Sequence, residues 1–212
     1  MCRLLCVRSN ELFTLCAHLR PFACIAENSR EYQGHGWGCS WWDDGRWHHY
    51  HDIRPLWQDP APPQAATTLL VAHARSAFRD EGIAVENNMP FADGERVFSF
   101  NGELRGVRIK EQGRIGAEKI FNYIKRFDKG DLGAAIERGV SVIEKRSRYI
   151  RAMNFVIATP QAVHAASLYN EDPDYFQLRV AHTANTLIIC SEPYGEYAWQ
   201  RLPNRSVTSY PQ

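Results

Sequence analysis

The chain has 212 residues, 44% of them hydrophobic and 23% charged, with a formal net charge of +1. That size and balance fit one globular domain with a core large enough to hold without covalent staples. So small a net charge gives no electrostatic case for nucleic acid or an anionic membrane as partner.

Residues 2–8 (CRLLCVR) predict a short strand at the start of the chain. In GWGCSWWDDGRWHHYHD, apolar and aromatic residues flank Asp44-Gly45, a hairpin signal that places strands near 37–42 and 46–51. A proline-rich connector, QDPAPPQA (58–65), leads to a buried strand at 68–73. The turn at Ala92-Asp93-Gly94 then feeds a strand at 96–100. The period changes after that. Ile120, Phe121, Ile124 and Phe127 recur at helical spacing, closed by Asp128-Lys129-Gly130. Leu132, Ile136, Val140 and Ile143 mark a second helix, to about Arg148. Strands return at 153–159, 162–169, 176–182 and 186–191. Strands, two helices and strands again, joined by hairpin turns, point to antiparallel sheets with helices layered on them.

Six cysteines, at 2, 6, 16, 24, 39 and 190, show no CxxC spacing and no regular framework, as expected in a reducing compartment. The N-terminus has no signal-peptide pattern, and no apolar run reaches the length of a membrane span. The expected setting is the cytoplasm.

Cys2 directly follows the initiator methionine. A cysteine is small enough for methionine aminopeptidase to cut before it, which leaves a thiol and an α-amine on one residue. An isolated thiol titrates near ~8.5 and an α-amine near ~8, so the amine can take the thiol proton around neutral pH. It can then hand that proton to a leaving amine. The plainer reading is a buried strand cysteine, like Cys6.

Other residues carry chemistry of their own. Asn101-Gly102 follows the apolar run VFSF; an Asn amide beside a Gly N–H can make an oxyanion hole, although a lone Asn-Gly is more often an ordinary turn. Arg75, in VAHARSAF, is suited to hold a carboxylate bidentately and equally to be a solvated charge, while His73 reads as a core histidine. GHGWG (34–38) lacks the context of a phosphate loop, and its glycines allow close backbone packing. HHYH (48–51) raises a metal site with His49 and His51 on one strand face, but no second ligand cluster lies nearby.

Taken in order, MCRLL, GHGWGCSWW, VAHARSA, NNMPF, FSFNGEL and CSEP resemble the class II glutamine amidotransferase family, in particular its small stand-alone members, over roughly residues 2–205. The resemblance implies an α+β fold, the four-layer αββα sandwich of two antiparallel sheets of the N-terminal-nucleophile hydrolases. It would form one type-2 amidotransferase domain over 1–212. The implied reaction is hydrolysis of the side-chain amide of glutamine, or of a related γ-glutamyl amide, through a thioester, with no cofactor and no metal. Cys2 would be the nucleophile and its freed amine the general base. Asn101 and Gly102 would form the oxyanion hole, and Arg75 would clamp the α-carboxylate of a small-molecule substrate. Gly36, Trp37 and Gly38 match the family's glycine-aromatic segment beside the nucleophile, on the substrate-binding side. Without an attached synthase domain, released ammonia would need an ammonia-using partner enzyme.

Two positions depart from the family pattern. Met89 precedes Pro90 where His is usual. Gly116 stands where glutamine-hydrolysing members carry an aspartate for the substrate's α-ammonium. Either Glu103 or Glu118 serves instead, or the substrate lacks a free α-ammonium, or the chain is a non-catalytic binding or regulatory protein that keeps the fold.

Overall fold

The computed structural model describes residues 1–212. In chain order the elements are β1 (Arg3–Thr14), α1 (Leu15–Glu27), β2 (Trp37–Asp43), β3 (Arg46–Asp52), β4 (Ala66–Ala74), β5 (Phe91–Ala92) and β6 (Val97–Arg105). There follow α2 (Gly116–Lys125), α3 (Leu132–Arg146), β7 (Tyr149–Ala158), β8 (Ala162–Ser167), α4 (Pro173–Phe176), β9 (Arg179–His182), β10 (Thr186–Cys190), β11 (Trp199–Arg201) and β12 (Ser206–Pro211).

The strands form two antiparallel sheets. One has seven strands in the order β11-β9-β10-β1-β4-β2-β3, and the other has five in the order β12-β8-β7-β6-β5. Alternation along each strand sorts side chains to opposite faces. On β1 and β4, Leu5, Val7, Leu70, Ala72 and Ala74 pack under α1 with Leu15, Leu19 and Phe22. Their alternate residues, Leu4, Cys6, Leu69 and Val71, meet Val97, Val156 and Ala158 between the sheets. On the far side, Phe98, Phe100, Phe155 and Ile157 turn outward onto Ile120, Phe121, Ile136 and Ile143 of α2 and α3. The result is helix, sheet, sheet, helices: the four-layer αββα sandwich expected.

Packing is closest where small residues let elements approach. A Cβ at Gly139 would stand 2.8 Å from Ile124 Cγ1, so α3 lies directly on α2 there. Phe98 and Phe121 stack with centroids 4.9 Å apart and planes 7° from parallel. Full burial of such a ring contributes about 1.5–3 kcal/mol. Asp131 caps α3 by accepting from the Ala134 N–H at 2.9 Å.

The expected hairpin forms at Asp44-Gly45, both residues with positive φ, between β2 and β3. The strand expected at 176–182 is shorter, because Pro173–Phe176 forms α4 first. α1 was not expected. Pro21 lies inside it, and its N-cap Thr14 makes no side-chain cap, so the usual start and stop signals are missing. Its buried face, Leu15, His18, Leu19, Phe22, Ile25 and Ala26, nevertheless recurs at helical spacing. No helix is long and apolar enough to cross a membrane.

Candidate active site

β1, β4 and β6 deliver Cys2, Arg75 and Gly102 to one cleft, which Asn101, Gly36, Trp37 and Gly38 do not line. Cys2 precedes β1, Arg75 follows β4, and Asn101-Gly102 lies on β6. A mainly hydrophobic cleft of about 570 Å³ is lined by Cys2, Arg75 and Gly102, together with Met89, Phe100, Glu103 and Gly116.

The Cys2 thiol is buried. Its sulfur accepts from the Ser76 N–H at 3.4 Å and lies 3.5 Å from the Ser76 carbonyl oxygen. Burial pushes the thiol's pKa up, opposed by the chain-terminal ammonium, the Ser76 N–H and Arg75. Cys6, buried without those donors, is raised to about 12.

Arg75 is 4% exposed and has no carboxylate partner. Its Nη2 donates to the Gly82 carbonyl at 2.8 Å, and its Nη1 makes only a long 3.5 Å contact with Asn88 Oδ1. Burial lowers its pKa, against the raising effect of Cys2. A buried guanidinium this sparsely paired, facing a cleft, is suited to an anionic group of a ligand.

Asn101 is fully buried on the inner face of β6, yet neither atom of its side-chain amide has a hydrogen-bond partner. Such a group costs about 1–3 kcal/mol unless something satisfies it. Gly102 is a glycine for steric reasons, since a Cβ there would lie 2.1 Å from the Ala152 carbonyl oxygen. His73 packs between the sheets, with Nε2 at 3.0 Å from the Phe100 carbonyl, Nδ1 unpartnered, and its pKa lowered to about 3 by burial. It is a neutral core residue.

Gly36, Trp37 and Gly38 do not line the cleft. The Trp37 ring turns to the α1 side and donates to Asp59 at 3.1 Å. Gly36, at φ +103°, accepts from the Arg75 N–H at 2.9 Å, and a Cβ there would meet Asn88 Nδ2 at 2.1 Å. The segment supports Arg75 from behind.

Gly116 opens α2 at the cleft wall, and a Cβ there would meet nothing within 4 Å. Glu118 is turned away to Arg114 at 2.5 Å, and Glu103 lines the cleft but pairs with Arg105 at 2.5 Å. Glu81, at the cleft edge, makes no ion pair. Sequence reasoning missed it because an exposed glutamate in a loop carries no signal. His35 was missed too: its Nδ1 accepts from the Ala77 N–H at 2.9 Å and fixes the loop after Arg75.

The histidines of β3 are occupied separately. His49 bonds Ser40 Oγ at 2.8 Å, His51 Nε2 lies 3.1 Å from the Pro90 carbonyl oxygen, and His48 stacks on Trp41. No group of three or more His, Cys, Asp or Glu side chains converges to hold a metal ion.

No protein-family model matches the chain. A γ-glutamyl-hercynylcysteine sulfoxide hydrolase of Mycolicibacterium smegmatis is 27% identical over 180 residues, which is 80% of this chain and 74% of the relative. Among solved structures, a glutamine aminotransferase class-II domain protein from Silicibacter pomeroyi superposes with a TM-score of 0.65 at 15% identity, over 99% of this chain and 94% of that one. The glutamine phosphoribosylpyrophosphate amidotransferase from B. subtilis gives 0.64 at 15% identity, over 89% of this chain and 41% of that one. The chain thus resembles the class II glutamine amidotransferases and shares their N-terminal-nucleophile hydrolase fold.

Proposed function

We propose that the protein is an N-terminal-cysteine amidohydrolase acting on a γ-glutamyl amide, either glutamine or a larger conjugate. The supporting observation is that Cys2, Arg75 and Gly102, brought in by separate strands, line one cleft, and that Asn101, next to Gly102 in the chain, carries a buried side-chain amide with no partner.

Removal of Met1 exposes the Cys2 α-amine, which takes the thiol proton. The sulfur attacks the amide carbon, and negative charge develops on the carbonyl oxygen. Asn101 Nδ2 and the Gly102 N–H are the donors for that oxyanion. The ammonium returns its proton to the departing nitrogen as the C–N bond breaks, leaving a γ-glutamyl thioester and free amine or ammonia. The amine then accepts a proton from water, which attacks the thioester and frees glutamate and the thiol. Arg75 holds the α-carboxylate.

The 27% identical relative is named for hydrolysis of a γ-glutamyl conjugate, and the size and apolar lining of the cleft also favour a substrate larger than glutamine. A conjugate hydrolase needs no ammonia-using partner. We assign Glu81 to the substrate's α-ammonium, since Glu103 and Glu118 are already engaged by arginines.

Processed protein incubated with glutamine and a panel of γ-glutamyl amides tests the proposal. Release of glutamate is expected, abolished by Cys2→Ala. Undiminished turnover in that variant removes the mechanism. The departures at Met89 and Gly116, the latter leaving no carboxylate there for a substrate ammonium, favour a second reading, a non-catalytic binding or regulatory protein. It predicts ligand binding without turnover, and no thioester.

A further inference from the structure

A buried polar cluster surrounds the chain terminus and has no part in the mechanism above. The Met1 carbonyl oxygen accepts from Tyr175 Oη at 2.5 Å and from Gln33 Nε2 at 2.6 Å. Gln33 is 0% and Tyr175 5% exposed. Gln33 Nε2 is held in place by the Glu31 carbonyl at 2.7 Å and Tyr175 Oη at 3.2 Å. The Arg3 guanidinium lies 3.9 Å from the Tyr175 ring centroid and donates to the Tyr175 carbonyl at 3.2 Å. Gln33 Oε1 is buried without a donor.

The acceptor common to these groups is the carbonyl of the residue that processing removes. Bond lengths across a peptide put that oxygen roughly 2.3 Å from the Cys2 nitrogen. When Met1 leaves, the Tyr175 hydroxyl and the Gln33 amide N–H lose their acceptor, and a new amine lies beside them. A neutral amine offers one lone pair to a donor and N–H groups to an acceptor such as Gln33 Oε1. An ammonium offers no lone pair, so donors aimed at that nitrogen favour the neutral form.

We propose that Tyr175 and Gln33 are positioning residues that cradle the freed α-amine of Cys2 and hold it in its proton-accepting form. The inference rests on the proposed role of that amine as general base.

Other charges near the terminus act on the same amine. Arg75, after β4, acts on Cys2, and Arg3 of β1 lies over the Tyr175 ring paired with Glu192; both arginines oppose a further positive charge there, while His73 of β4 is neutral. His35 and Glu31, from the segment after α1, lie near the Met1 ammonium, one residue before that nitrogen. Glu31 pairs with the Met1 ammonium and, at 3.2 Å, with Arg151 of β7; it favours the charged amine. The cradle's donors oppose Glu31.

The test is the pH dependence of kcat/KM for processed wild type, Tyr175→Phe and Gln33→Met, with Met1 removal verified by intact mass. Tyr175→Phe keeps the ring under Arg3 and deletes only the hydroxyl. Its acid limb is expected to move upward by about half to one pH unit, as loss of one hydrogen bond to the neutral amine implies. Gln33→Met is expected to shift the limb in the same direction by less, because it removes the Oε1 acceptor together with the Nε2 donor. An unmoved acid limb in both variants overturns the cradle. For a variant too slow to assay, nitrogen-NMR titration of the Cys2 amine reads the same shift without turnover, an unmoved midpoint again overturning the cradle. Failure of the parent reading shows separately, as turnover that survives Cys2→Ala.

Discussion

Asn101 illustrates what one side chain can reveal. Its amide is sealed from solvent with no partner, on a strand that continues into the glycine lining the cleft. On the proposed mechanism Asn101→Ala removes one oxyanion donor, and it is expected to lower kcat by about 10²–10³-fold, with the protein still folded by circular dichroism. A change under threefold would remove Asn101 from the mechanism. Two further substitutions probe the substrate's ammonium. Glu81→Gln is expected to raise KM for γ-glutamyl amides bearing a free α-ammonium and to leave N-acylated analogues unchanged. At Gly116 a new Cβ meets open space, so Gly116→Asp fits without strain and is expected to lower KM for glutamine itself. Steady-state kinetics on paired substrates decide both, and equal effects on both substrate types would contradict the assignment. At this scale the meeting of Cys2, Arg75 and Gly102 at one cleft was foreshadowed by the resemblance of their flanking motifs, taken in order, to a known family, and not by any one residue. Gln33 and Tyr175 were not foreshadowed, since they meet across 142 positions of sequence and only the fold joins them.

The elements were legible where local chemistry and burial agree. Asp44-Gly45 can occupy positive φ, and apolar runs flank it, so the β2–β3 hairpin follows from the sequence. α2 and α3 carry a helical apolar period, and Asp131 caps the second of them. α1 lacks such signals because packing under the seven-stranded sheet outweighs the donor lost at Pro21. β11 and β12 are edge strands with largely exposed or half-buried residues, so their alternation gives little contrast to read. Gly102→Ala belongs at this scale. The new methyl would press on the Ala152 carbonyl across the β6–β7 pairing, and overpacking of this kind costs typically about 1–3 kcal/mol. A lowered urea midpoint is expected, and an unchanged midpoint would show that the strands have room to part. Asp131→Ala, which removes the α3 cap, is expected to cost about 0.5–2 kcal/mol in the same measurement.

Across the whole molecule, the sandwich buries histidines in their neutral form. Burial lowers His73 to about 3 and His18 to about 4, from an ordinary value of 6.5. Below pH 6.5 the unfolded chain binds protons that the folded chain refuses, so this contribution to stability is complete above 6.5. It is lost as pH falls toward 4. Thermal unfolding between pH 8 and 4 should therefore show a plateau and then a decline on the acid side, shallower in His18→Gln. A melting temperature that is flat through that range would contradict the neutral burial.

The most direct measurement is peptide mass spectrometry on processed protein acid-quenched during turnover of a γ-glutamyl anilide. A γ-glutamyl group carried on Cys2, at the new N-terminus and absent from Cys2→Ala, is the predicted result. Aniline release with Cys2 never acylated, or turnover by protein that still carries Met1, would contradict it.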